Sequence, residues 1–269
     1  MTVIAPCYNH ERFVRECLES IRMQDYPNLQ IIVTDDCSKD ASPSVIREWI
    51  KANPSLQVTF IQSKKNRGLC SVLNDALKVA TGKYIAMTNT DDVWKPSKIR
   101  KQMEFMESLP EKTAVLYSDA YLMDENGALL PKRFIESYRS FDHMPEGDIH
   151  EVMWNGNFIP VMTTLIRRSA FEKVGLHDES LFYEDWDLWL RISKDFHFAY
   201  YPFPTARYRI VTASMAHSGV DRIRLSDEII FTKNLLNGSI PKSVRNKAFN
   251  YAVRRIFRRK ETNPEEGLE

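Results

Sequence analysis

Glycine is scarce, at 9 of 269 residues. The turn after the first strand-like run, Pro6-Cys7-Tyr8-Asn9, contains none. A dinucleotide-dependent dehydrogenase needs G-x-G-x-x-G at that point, so that class is excluded. A sugar-nucleotide pyrophosphorylase needs a glycine- and arginine-rich loop there, and the same turn disfavours it. Only four cysteines are present, Cys7, Cys17, Cys37 and Cys70, and none forms C-x-x-C. A zinc site is therefore not expected. Free thiols fit the cytoplasm. Met1 leads directly into an apolar run, so no leader peptide is expected. No apolar run approaches the roughly 20 residues that cross a bilayer. The formal net charge is only +1, which provides no field for nucleic acid. What is present is 43% hydrophobic and 27% charged residues, ordinary for a globular chain with a substantial core.

The first half alternates strand and helix patterns. Val3-Ile4-Ala5 reads as a strand ending at Pro6. Asn9 is expected to cap a helix whose apolar stripe is Phe13, Val14, Cys17, Leu18 and Ile21. Leu29 to Thr34 is the next strand, and Ser42-Pro43 opens the next helix as cap and first-turn proline. Its expected buried face is Val45, Ile46, Trp49 and Ile50. Leu56 to Ile61 alternates as a strand. Leu69, Val72, Leu73, Ala76, Leu77 and Ala80 then mark a helix, with Gly82 as a left-handed cap. This order implies crossover units and a mostly parallel sheet. In such sheets ligands bind beyond the carboxyl ends of the strands. Pro6-to-Asn9, Asp35-Asp36, Lys64-to-Gly68 and Asn89-to-Asp92 should therefore share one rim.

Two of those segments carry adjacent acids at strand ends. Asp91-Asp92 follows the buried run Gly82-to-Thr88, and Asp35-Asp36 follows Leu29-to-Thr34. Neighbouring carboxylates that lose hydration need compensation, and a divalent cation with oxygen ligands supplies it. The bland alternative is a solvated turn; the repetition of the layout argues against it.

The second half is less regular. Ala114 to Asp119 reads as a strand, and Asp124-Glu125-Asn126-Gly127 as a turn. Pro131 to Gly147 reads as a loop over the site. Ser169-to-Glu172 is a capping box for a short helix that Gly175 closes. From Asp221 the chain reads as helical. Glu184-Asp185-Trp186-Asp187-Leu188 forms a third acidic cluster. Helical phase puts Asp185 with Leu188, Trp189 and Ile192, and puts Glu184, Asp187, Arg191 and Lys194 on the opposite face, toward water. Asp185 is then either a general base or merely a helix cap, and phase alone leaves both open. Trp189 is expected in the core. Trp186, at the flank, is the better candidate for stacking on an acceptor sugar.

Together these segments resemble the family-2 inverting glycosyltransferases, whose fold is GT-A. The resemblance runs from Val3 to about Arg209. It rests on Pro6-Cys7-Tyr8-Asn9, Asp35-Asp36-Cys37-Ser38-Lys39-Asp40, Asn66-Arg67-Gly68-Leu69, Thr90-Asp91-Asp92-Val93-Trp94-Lys95-Pro96 and Glu184-to-Leu188. Each is weak alone; five in order are strong. It implies an α/β Rossmann-like domain over 1–215, divided into a nucleotide-binding half, 1–112, and an acceptor half, 113–215, with a helical extension over 216–269.

The resemblance also implies roles. Pro6 and Tyr8 line the base pocket, Asp36 reads the nucleobase, Arg67 lies near the diphosphate, and Asp91 contacts the ribose region. Asp92 ligates Mg²⁺ or Mn²⁺, and Asp185 is the catalytic base. The expected donor is a nucleoside-diphosphate sugar, most simply a UDP-sugar, and the acceptor a glycan or lipid-linked hydroxyl. The non-enzymatic alternative is a nucleotide-sugar-binding module without transfer. Three departures bear on it: Cys37 replaces the family's usual Gly, Asn89 an Asp, and Val211 a His in the segment Tyr208-to-Val211. His217 is a weak substitute for that histidine. The basic cluster Arg254, Arg255, Arg258, Arg259 and Lys260 reads either as a peripheral membrane contact or as a solvated helix end.

Overall fold

A computed structural model describes residues 1–211, 219–238, 240–246, 248–250 and 253. The basic cluster at 254–260 and His217 lie outside the described residues. The chain order is β1 (Thr2–Cys7), α1 (Val14–Arg22), β2 (Gln30–Asp35), α2 (Ser42–Ala52), β3 (Gln57–Gln62), α3 (Leu69–Val79), β4 (Tyr84–Met87), β5 (Val93–Trp94) and α4 (Lys98–Glu107). There follow β6 (Thr113–Met123), β7 (Leu129–Arg133), α5 (Phe134–Tyr138), α6 (His150–Met153), β8 (Leu165–Arg167), α7 (Arg168–Val174), α8 (Asp185–Ile192), β9 (His197–Arg209) and α9 (Val220–Leu236).

Among the described residues one sheet runs β3-β2-β1-β4-β8-β6-β9-β5, with β7 paired to β6. β3, β2, β1 and β4 are mutually parallel, as the crossover pattern requires. β8 then runs antiparallel between β4 and β6, so the sheet is mixed in its second half, 113–215. β1 is buried along its whole length. Its side chains alternate between two cores: Ile4 packs on one face, Val3 and Ala5 on the other. α9 contributes fully buried Ile230 and Phe231 to the core that holds Trp154 and Trp189.

Several local expectations need correction. Asn9 does not cap α1; it sits at φ +56, its backbone N–H donates to Ser38 Oγ at 2.9 Å and its Oδ1 accepts the Lys39 N–H at 2.8 Å. Asparagine tolerates that left-handed backbone, and its short amide stitches the β1 loop to the β2 loop. Ser42 is the first residue of α2 rather than its cap, and its hydroxyl accepts the His10 N–H at 2.9 Å. Gly82 is not a helix cap either. A Cβ there would lie 2.4 Å from Thr2 N, so the glycine is required by close approach to β1. Ser169 lies inside α7, whose cap position is Arg167. The expected loop from Pro131 contains an edge strand and a short helix instead. Pro131 is tolerated because β7 pairs only with β6.

Candidate functional site

The ends of β1, β2 and β4 bring three loops together. Asp35 and Asp36, at the end of β2, are both buried. Asp35 accepts the Ser38 N–H at 3.1 Å and the Ser38 hydroxyl at 2.5 Å. Asp36 accepts the Arg67 N–H on Oδ1 and the Gly68 N–H on Oδ2, each at 2.8 Å. This pair is compensated by loop backbone and a hydroxyl. Cys37 keeps the tight turn at φ +63 although it is not glycine. The Arg67 guanidinium is ion-paired with Asp75. Tyr8 stands at the rim, 38% exposed, while Pro6 is buried and its carbonyl accepts the Thr90 N–H and hydroxyl.

The two acids after β4 differ. Asp91 is half-buried, with Oδ2 3.7 Å from His10 Nε2. His10 Nδ1 lies 2.8 Å from Thr90 Oγ1, whose own hydrogen goes to Pro6 O at 3.1 Å. That chain makes Nδ1 the protonated nitrogen and turns Nε2 toward Asp91. Asp92 is fully buried. Its Oδ1 accepts the Arg209 N–H at 2.9 Å, and its Oδ2 has no partner. Burial and then Asp91 push this carboxyl well above the ordinary range. Arg209 spans the cluster: its Nε donates to Asp91 O at 2.8 Å, and a terminal nitrogen to Glu16 Oε2 at 2.6 Å.

An unpaired buried carboxylate oxygen beside a second acid fits a divalent cation. No group of three or more His, Cys, Asp or Glu side chains converges on it among the described residues. The fit is thus to an ion held by one or two carboxylates and completed by phosphate oxygens and water.

The third cluster is arranged differently from its helical phase. Glu184 and Asp187 do not face water; both are buried. The face expected to be solvated is covered by α9. Lys233 of α9 bridges Asp187 at 2.6 Å and Asp178 at 2.7 Å, while Arg191 Nε binds Asp187 at 2.9 Å. Trp186 is no stacking surface: it is buried, donates to Met153 O at 2.8 Å and packs edge-on against Phe231. Trp189 is in the core as expected. Asp185 alone of the three acids is half-buried rather than buried. Burial, and then the Asp185 charge, raise Glu184; burial raises Asp185 despite its hydrogen bonds.

The first turn of α3 links the two regions. Gly68, held by Asp36, caps α3; Cys70 then donates to Tyr183 O at 3.6 Å and Ser71 to Glu179 at 2.7 Å. α3 thus touches both the Asp36 loop and the segment that leads into α8. Sequence reasoning missed His10, Asn157 and Lys233. Only His10 carried a local signal, since it directly follows the β1 turn.

A family model described as "Glycosyl transferase family 2" matches residues 2–175. TuaG of Bacillus subtilis (strain 168), a glycosyltransferase named for teichuronic acid biosynthesis, is 28% identical over 80% of this chain and 81% of its own length. The glycosyltransferase EpsE of the same organism is 29% identical over 97% and 96%. Among solved structures, S. aureus TarS 1-349 in complex with UDP-GlcNAc superposes with TM-score 0.69 at 17% identity, over 100% of this chain and 76% of that one. The Pyrobaculum calidifontis mannosyltransferase PcManGT, in complex with GDP-Man and Mn2+, gives 0.68 at 20% identity over 92% and 67%. Against another TarS chain, this protein spans 42% of the length. The shared architecture is the GT-A fold.

Proposed function

Because the chain belongs to glycosyl transferase family 2, we propose that it moves a sugar from a nucleoside diphosphate to an acceptor hydroxyl, with inversion, in surface polysaccharide synthesis. The names of TuaG and TarS's bound UDP-GlcNAc support that reading. The observation that carries it is that the first turn of α3 bonds both Asp36 and the segment leading into Asp185, whose charge Cys70 feels.

In one displacement, the acceptor oxygen bonds to the anomeric carbon while the carbon–oxygen bond to the diphosphate breaks. Asp185 takes the hydroxyl proton, a contribution of about 10²–10⁴-fold. No covalent nucleophile is needed. Asp36 offers its remaining lone pairs to the imide N–H of uracil; cytosine would present an acceptor there. Tyr8 and Pro6 border the base, and Asp91 takes the ribose. Arg67 exchanges Asp75 for phosphate and so supplies fixed positive charge. Asp92, with Asp91 beside it, would hold Mg²⁺ or Mn²⁺, which as a Lewis acid offsets charge on the leaving diphosphate. Asp92 Oδ2, buried and without a hydrogen-bond partner, is the atom that would meet the ion.

The acceptor is a glycan or lipid-linked hydroxyl. No helix among the described residues is long and apolar enough to cross a membrane. A peripheral contact at the cytoplasmic face would fall to the basic cluster at 254–260.

Calorimetric titration of UDP and CDP, with and without Mn²⁺, tests the donor site. Tighter UDP than CDP binding, with a Mn²⁺ enhancement lost in Asp92→Ala, is the expected result. Preference for CDP, or equal enhancement in the variant, would refute the respective assignment.

A further inference from the structure

Asn157 occupies the turn after α6 and is half-buried. The next residues, Phe158 and Ile159, are buried in the core, so the turn is anchored from below. Asn157 Oδ1 accepts the Ile159 N–H at 3.0 Å. With the amide oxygen so held, the NH₂ end must face the other way. It faces Asp185, donating from Nδ2 to Oδ2 at 2.5 Å. The other carboxylate oxygen, Oδ1, accepts the Trp186 N–H at 2.7 Å. One donor on each oxygen fixes the plane of the carboxylate and the direction of its remaining lone pairs.

We propose that Asn157 is the positioning residue for the base of the transfer step, holding the Asp185 carboxylate in the plane from which it receives the acceptor proton. The proposal rests on Asp185 being that base. The carboxylate's surroundings otherwise oppose its charge. Glu184 precedes it, Asp187 follows on the same helix, and the charge of Asp227 of α9 raises the carboxyl further. Cys70 of α3 and Tyr183 are the other titratable neighbours. The cations Arg191 and Lys233 are paired with Asp187 and Asp178, and no described ion pair reaches Asp185. The Trp186 N–H, Asp185's own backbone N–H and the Asn157 amide are thus what stabilises the anion, and only the Asn157 group is a side chain open to substitution.

The test is turnover of a UDP-sugar to UDP by the full chain with Mn²⁺, followed from pH 5 to 9 for wild type, Asn157→Ala, Asn157→Asp and Asp185→Asn. Loss of a donor to the anion should move the acidic limb of kcat to higher pH. Asn157→Ala should lose about tenfold at neutral pH, a tenth to a thousandth of a full base's contribution, and recover as pH rises. Asn157→Asp, nearly isosteric, should move the limb further, because two carboxylates then face each other. UDP affinity should be unchanged in both. A merely structural turn would lower turnover equally at all pH. If the limbs of both variants superimpose on wild type while Asp185→Asn is inactive, the positioning role is wrong. An active Asp185→Asn would instead remove the base assignment on which it rests.

Discussion

The Asp35-Asp36 pair after β2 is answered by hydrogen bonds from its own turn and the neighbouring loop; the acids of α8 are answered by burial and by a helix arriving from far along the chain. Asp35 takes its donors from Ser38, three residues on, and Asp36 takes two N–H groups from the loop that follows β3. Glu184, Asp185 and Asp187 sit on one short helix, and Lys233 reaches Asp187 from 46 positions later in the chain. The difference teaches where each region is vulnerable. The donor rim should tolerate changes elsewhere in the chain. The acid helix depends on α9 for its electrostatics and on Asn157 for its geometry.

The largest expected effect separates chemistry from scaffolding within the acid helix. Asp185→Asn should cut turnover by about 10²-fold or more with donor affinity nearly unchanged. Glu184→Gln should do much less, because burial already keeps that carboxyl largely protonated near neutral pH. Steady-state turnover beside UDP titration measures both. A Glu184→Gln variant more damaged than Asp185→Asn would break the assignment.

Next comes the contrast between local and distant compensation. Asp187→Ala leaves Lys233 and Arg191 without their shared carboxylate. The cost should be about 3 kcal/mol, at the low end for a buried pair because both cations are partly exposed. Chemical denaturation gives the value. Asp35→Ala, by comparison, should loosen one turn. Stability losses in the reverse order would contradict the comparison.

A pH effect should also divide the halves. His177 lies in the acceptor half, buried, and burial lowers its pKa to about 4. Between pH 4 and 6.5 the folded ring is neutral while the unfolded one is charged, so unfolding takes up a proton. Stability must therefore fall as pH drops through that window, by on the order of 3 kcal/mol at its lower end. His177→Asn should flatten this segment of the stability curve. Denaturant melts at pH 4, 5, 6 and 7 would show it, and an unchanged slope in the variant would exclude His177 as the cause.

The smallest effect is in the donor half. Cys37 holds φ +63, a conformation costly for a residue with a Cβ. Cys37→Gly should relieve it, but the unfolded chain then has more freedom to lose. A net gain of about 0.5–1 kcal/mol in thermal unfolding is expected. A loss would show that the thiol makes a contact worth more than the strain.

Legibility followed the same division. Strands β1 to β4 and their helices were visible because alternation and helical stripes are properties of short segments. The shared rim followed from topology, and Asp36, Asp91 and Asp92 are indeed carried at β2 and β4 ends. Helical phase failed for Glu184 and Asp187. It identified a polar face correctly, but a polar face is not a wet one when another helix brings a lysine against it. Trp186 was misjudged for the same reason, since Phe231 of α9 covers it. The segment from Pro131 hid an edge strand because its residues are exposed and lack alternation.

The sequence by itself determined the parallel half of the sheet, the acid-bearing strand ends and the family. Those features are encoded within a few neighbouring residues, where periodicity and turn chemistry operate. Only the tertiary structure decided which acid stands open and which is sealed, that Asn157 meets Asp185, and that Lys233 neutralises Asp187. Such pairings join residues 28 and 46 positions apart. No local pattern specifies them, because charge compensation acts through space and the chain is free to supply the partner from any element that packs nearby.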